Sequence, residues 1–384
     1  MTYKFARIIS AVLIVFALAV SAGASTSSEV VNNFALNAAK IIAGSESSYF
    51  FSPFSIISAF GMAYAGASGD TAAEIERALG FSRELHGELG EYVRDITSTG
   101  QVFSANRVWL NKGFDLRKSY QDDLYLYYRS KAEELDMKYD NAASLRKIND
   151  WVSDNTNGKI PSILSSLDPA TRMMITNAVY FNAQWQKKFD REMTAPEKFR
   201  DGGRVSEVPM MKQYGEFSYG EYDGVKVVRL PYKGRRLSMV VILPREDEPD
   251  ALKGLDAETF SKWLNGLSRY EVDLWLPKFK TEKSYELADV LKSLGVEQAF
   301  SDAADFSGIS GSEKLKVDAV IHRTFIDVDE EKTEAAAVTM MNLVGATAVP
   351  APVRRAEFHA DRPFMYMIVD GWSGTILFLG RQTF

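Results

Sequence analysis

Glu330-Glu331-Lys332-Thr333-Glu334-Ala335-Ala336-Ala337-Val338-Thr339 lies between two alternating stretches, His322 to Val328 and Pro363 to Leu379, and both of these read as strands. Roughly thirty residues between them fit neither a helix nor a strand template, and so long a connection inside a compact domain is usually functional or disordered. This one is neither Gly/Ser-rich nor highly charged. From Thr333 to Val349 it contains no proline, and Thr333, Ala335, Ala337 and Thr339 are all small. One face of such a segment can enter a tight interior with every backbone N–H free to pair, so it reads as a strand that lacks a sheet. A helix over Thr333 to Met341 competes with that reading, because Glu and Ala favour helix.

The chain opens with Lys4 and Arg7, an apolar run from Ile8 to Ala19, and the small-x-small triplet Ala22-Gly23-Ala24. That order is the layout of a secretory signal. A membrane anchor would need roughly 20 apolar residues, more than this run supplies. The expectation is therefore export, with residues 1–24 removed and a single domain from 25 to 384. An exported chain can form disulfides, yet this one has no cysteine, so a packed core has to stabilise it. Thiol nucleophiles are excluded, and His86, His322 and His359 are the only imidazoles. A formal charge of −6 argues against nucleic acid and stable membrane association as partners. The basic run Lys233-Gly234-Arg235-Arg236 reads as a solvated turn.

Helices come first in the expected order of elements. Val31, Phe34, Ala35, Ala38, Ile41 and Ile42 recur at helical spacing before Gly44, and Ser52-Pro53 has the form of an N-cap followed by a first-turn proline. Asp70 to Leu79 predicts a third helix stopped by Gly80, Gln101 to Leu110 a strand, and Ser144 to Thr156 another helix. Strands dominate from Met173 onward: Leu237 to Leu243 is nearly all apolar, as in a strand buried on both faces, and Tyr270 to Leu276 alternates. Helices followed by strands, with no repeat or linker, indicate one α+β domain.

Catalytic readings find little support. Ser144-Leu145-Arg146-Lys147 and Ser153-Asp154-Asn155 have the outline of two motifs of penicillin-recognising enzymes, but they fall on one helix and its end, and Lys280-Thr281 is followed by Glu282 rather than Gly. No Gly-x-Ser-x-Gly elbow and no metal-ligand spacing occurs. His322 shares a strand face with Thr324, Ile326 and Val328, which reads as a buried histidine in need of a hydrogen-bond partner.

The quoted stretch resembles the hinge of the serpins, the serine protease inhibitor family, whose pattern is Glu-Glu-Gly-Thr-Glu-Ala-Ala-Ala-Ala-Thr. Lys332 stands where the family usually has Gly, and Val338 where it usually has Ala. Further matches follow in family order. They are Thr176-Asn177-Ala178-Val179-Tyr180-Phe181 with Trp185, Val208-Pro209-Met210-Met211, Leu230-Pro231-Tyr232, Leu237-Ser238-Met239, Leu243-Pro244, Phe358-His359-Ala360-Asp361-Arg362-Pro363-Phe364 and Ile376-Leu377-Phe378-Leu379-Gly380-Arg381.

The resemblance implies a serpin fold of three β-sheets and eight or nine helices, with an exposed reactive-centre loop from about Lys332 to Val353. It makes Glu330, Glu331, Thr333, Glu334, Ala335, Ala336 and Ala337 the hinge, and Ser52, Pro53, Ser55, Asn177 and His322 a shutter beneath the main sheet. Trp185 would stand at the top of that sheet. No residue would be catalytic, and no metal or cofactor is implied. The partner would be a serine protease, held as a covalent acyl complex by a monomeric, secreted or extracytoplasmic inhibitor. Counting along the loop places the reactive bond at Ala346-Thr347, with Val344 and Gly345 as alternatives; these small side chains suit elastase-like or subtilisin-like enzymes. A non-inhibitory serpin acting as chaperone or carrier is the alternative, supported by Lys332, since loss of the glycine removes a pivot.

Overall fold

The computed structural model describes residues 26–246, 250–311, 314–331 and 354–384. Among them are eight α-helices: α1 (Ser27–Ala43), α2 (Pro53–Tyr64), α3 (Gly69–Leu79), α4 (Arg83–Ser98), α5 (Lys118–Tyr128), α6 (Asn141–Asn155), α7 (Ala257–Gly266) and α8 (Ala288–Ser293). Fourteen strands accompany them: β1 (Tyr49–Phe51), β2 (Val102–Asn111), β3 (Ala132–Leu135), β4 (Met173–Phe181), β5 (Ala195–Asp201), β6 (Arg204–Tyr222) and β7 (Val225–Pro231), then β8 (Leu237–Pro244), β9 (Ser268–Pro277), β10 (Phe279–Glu286), β11 (Ala319–Val328), β12 (Arg355–His359), β13 (Phe364–Asp370) and β14 (Ile376–Gln382).

Local chemistry accounts for several boundaries. Thr26 and Glu29 form a reciprocal capping box at the start of α1. Ser52 caps α2, accepting from the Ser55 N–H, with Pro53 at the first helical position. Gly80 closes α3 at φ +72°, a left-handed conformation that suits glycine. No helix among the described residues is long and apolar enough to cross a membrane.

Five strands form one sheet in the order β10-β11-β4-β2-β3, and the other nine form a second network, β1-β14-β13-β8-β7-β6-β9-β12 with β5 paired to β6. Two of the three expected sheets are contiguous in this second network, because nineteen-residue β6 pairs with β5 at its start and with β7 at its end. The five-stranded sheet is covered on both sides. Its inner face, including Ile175, Val179, Val320 and Ile326, joins the main core with α2, whose twelve residues are all buried. Its outer face carries Trp109, Met174, Ala178, Tyr180 and Phe325, packed under Ile148 and Val152 of α6 and under Ile160 and Ile163 beyond it. Burial on both faces explains why every residue of β4 is inaccessible.

Candidate functional site

β11 and β4 run parallel, in register from Ala319 opposite Met174 to Phe325 opposite Tyr180. Their other neighbours, β10 and β2, are antiparallel to them. A seam between two parallel strands can take one more strand that is antiparallel to both, with a ladder on either side. A chain leaving β11 at Val328 must reverse to return along the sheet, and it would arrive in that direction.

A polar row crosses the inner face of the seam. Asn106 on β2 faces Asn177 on β4, Asn177 faces His322 on β11, and His322 faces Tyr285 on β10. The Ser52 N–H donates to His322 Nε2 at 3.1 Å. That nitrogen is an acceptor, so the imidazole proton sits on Nδ1, which donates to Asn177 Oδ1. Asn177 Nδ2 donates in turn to Ser55 Oγ at 2.5 Å and to Asn106 Oδ1. Ser55 Oγ also shares a hydrogen bond with Ser104 Oγ at 2.9 Å, and Ser52 Oγ donates to the Leu377 carbonyl at 2.6 Å. One tautomer thereby sets the direction of the bonds that run from the Ser52 N–H through His322 and Asn177 to Asn106 and Ser55. Complete burial holds the His322 pKa down to about 3, so the ring stays neutral.

The structure thus brings Ser52, Ser55, Asn177 and His322 together, with Pro53 opening α2 between the two serines. Sequence reasoning missed Ser104 and Asn106. The signal was present, since both fall on the strand face that also carries the apolar Val102 and Val108.

At the end of the seam beyond β11, the chain is fastened. Trp185 is buried, stacked on Tyr232 at 4.5 Å, and its indole N–H donates to the Asp329 carbonyl at 2.8 Å. Glu330 is also buried. Its carboxylate accepts from Thr194 Oγ1 and pairs with Lys278 Nζ, both at 2.7 Å, and its carbonyl accepts from the Phe189 N–H at 3.0 Å. Burial alone would raise the Glu330 pKa, but the bonds from Lys278 and Thr194 outweigh it and hold the group below the usual range. Glu331 lies 3.4 Å from Arg191. The remaining hinge positions Thr333, Glu334, Ala335, Ala336 and Ala337, the bond Ala346-Thr347 and its alternatives Val344 and Gly345 lie outside the described residues, as do residues 1–24.

The outer cover is tied to both sides of the seam. Asn157 donates to the Tyr180 hydroxyl of β4 at 2.7 Å, and Arg323 of β11 donates to the Ser162 carbonyl at 2.5 Å. Asn149 of α6 holds the returning segment through the Ile163 and Leu164 N–H groups at 2.8 and 3.0 Å, so helix and segment form one lid. Ser144, Lys147 and Ser153, which carry the penicillin-enzyme outline, all belong to α6.

Residues 29–383 match the family model described as Serpin (serine protease inhibitor). The chain belongs to the serpin family. It is 40% identical over 363 residues to an uncharacterised serpin-like protein of Thermococcus kodakarensis, covering 92% of this chain and 84% of that one. It is 38% identical over 349 residues to the leukocyte elastase inhibitor of Bos taurus, covering 86% of this chain and 92% of that one. Among solved structures, maspin superposes with a TM-score of 0.84 at 27% identity, covering 92% of this serpin and 97% of maspin.

Proposed function

We propose that this serpin is an irreversible suicide-substrate inhibitor of elastase-like or subtilisin-like serine proteases, exported after loss of residues 1–24. The observation that carries the reading is the parallel seam between β11 and β4, followed in sequence on the β11 side by a proline-free run whose alternate positions Thr333, Ala335, Ala337 and Thr339 are small. The protease serine attacks the Ala346 carbonyl, the amide to Thr347 breaks, and the amine of Thr347 leaves, which gives an ester between the protease and Ala346. Thr333 onward then enters the seam as a strand, drawing the acylated protease with it before water can cleave the ester. The shutter row has to part for this, and the lid over the outer face has to lift. Free energy comes from sheet hydrogen bonds and burial that the uncut loop is too constrained to gain, so the starting fold is kinetically trapped.

The test is incubation with pancreatic elastase followed by a denaturing gel. A complex that survives SDS is expected. A clipped inhibitor band alone would favour the non-inhibitory reading, which Lys332 supports, and the intact mass of secreted protein checks removal of residues 1–24.

A further inference from the structure

Away from the seam, a cavity of about 410 Å³ opens where the end of α2 meets α3, α4 and α5. Three aromatic rings are part of its lining. Tyr64 and His86 stack with ring centres 4.9 Å apart, and Tyr127 lies 5.6 Å from His86. Small residues, Ala65, Ala67, Ala72 and Gly308, line the rest and leave the volume open. Two carboxylates face the cavity. Glu76 accepts from the Tyr64 hydroxyl at 2.5 Å, which draws electron density toward that ring. Asp123 is half-buried and makes no ion pair among the described residues, since its neighbour Asp122 takes Lys118 at 2.6 Å. Burial raises the Asp123 pKa, with Asp122 adding to it, and no cation offsets either effect. Burial likewise brings His86 down to about 4, so the ring contributes no positive charge. Arg83, which is exposed, is the one cation among the described residues that line the cavity.

We propose that this cavity binds an organic ammonium ion. Tyr64 and Tyr127, with the carboxylates of Glu76 and Asp123 in the same lining, fit a cation carrying apolar substituents, which tyrosine rings attract and water solvates poorly. A neutral guest would leave Asp123 uncompensated, and an anion would be repelled by Glu76 and Asp123. The same chemistry arrives as a free small amine or as the side chain of a lysine on a partner protein. This site is independent of the seam and of protease inhibition.

The test is a ligand-observed NMR titration of the full chain with n-butylammonium, with 1-pentanol as a neutral match, and with the blocked tripeptide Gly-Lys-Gly. Saturable millimolar binding of butylammonium is expected, with pentanol weaker by roughly ten-fold. Asp123→Asn should weaken the ammonium by roughly five-fold, Tyr127→Leu by a similar factor, and Arg83→Ser should tighten it. Binding of the tripeptide as tight as that of butylammonium assigns the site to a protein lysine, and weaker binding assigns it to a free amine. Equal binding of pentanol and butylammonium, no saturable binding of either, or unchanged affinity in Asp123→Asn at wild-type thermal stability overturns the proposal. Because Asp123→Asn removes an uncompensated charge, it is expected to fold.

Discussion

His322 of β11 and Asn177 of β4 are register partners across the parallel seam, and Nδ1–H of the imidazole donates to Oδ1 of the amide. The bond is one link in a connected polar row, so its parts should not act independently. His322→Ala strands the Ser52 N–H and the Asn177 carbonyl, and Asn177→Ala strands the imidazole N–H and the Asn106 carbonyl, each stranded group costing about 1–3 kcal/mol. The double variant should lose clearly less than the sum of the two, because the shared bond is counted once. Urea unfolding at one pH checks this. Simple additivity would mean that the row is not a unit.

Stability should also fall in mild acid, in the window that these buried rings define. Their folded-state pKa values, about 3 for His322 and about 4 for His86, lie below the ordinary 6.5, so the unfolded chain binds the extra protons. Stability is thus complete above about pH 6.5 and declines below it, each ring contributing up to about 1.4 kcal/mol per pH unit. Glu330 is depressed in the folded state, so its share is intact in this window and is lost only as the pH falls through its folded pKa. Denaturation midpoints between about pH 7 and pH 5 should show a dependence approaching two protons, dropping to one in His86→Phe. A flat profile would contradict the neutral, buried state of both rings.

Glu330 and Lys278 give a third expectation. The carboxylate is nearly inaccessible and the ammonium about one-third exposed, so the pair is only partly screened. Glu330→Lys places a second cation beside Lys278 and also abandons Thr194, where β11 passes into the hinge. It should cost about 3–5 kcal/mol, and adding Lys278→Glu should recover part of that. Recovery of none of the loss would show that the site tolerates only this orientation of the pair.

How much of this was legible in the sequence depended on where the signal was local. Ser52-Pro53 sets the start of α2 through its own cap, and Leu237 to Leu243 announces a strand buried on both faces, as β8 is. Helix α4 is not legible in the sequence, because Gly87 and Gly90 interrupt its pattern. Gly90 is there for a reason that lies in another helix: a Cβ would stand 2.3 Å from the Tyr127 carbonyl of α5. Continuity of β6 across two expected sheets is likewise hidden, since Pro209 interrupts a run of nineteen residues. Alternation alone marks His322 as buried, and the family resemblance groups it with Asn177. Asn106 required the register of three strands, and the Glu330 clamp required Thr194 and Lys278, both distant in the chain.

The last expectation concerns Ala335 and separates strand insertion from any other use of the hinge. If Thr333 onward becomes a strand between β11 and β4, side chains alternate between the two faces. Glu334 shares one face with Ala336 and Val338, and its carboxylate needs polar surroundings. That leaves Thr333, Ala335 and Ala337 for the inner face, where β4 and β11 are buried throughout, whereas on the outer face β11 is part-exposed at Arg323 and Asp327. An arginine at 335 would face desolvation of several kcal/mol there, with no space for its length. Ala335→Arg should therefore leave folding and loop cleavage unchanged but slow insertion, so that hydrolysis of the acyl-enzyme wins. Titration against elastase should show many more inhibitor molecules consumed per protease inactivated, and the cut variant should lack the rise in thermal midpoint expected of cut wild type. One-to-one trapping by Ala335→Arg would mean that this segment never enters the seam, even if wild type proves to be an inhibitor.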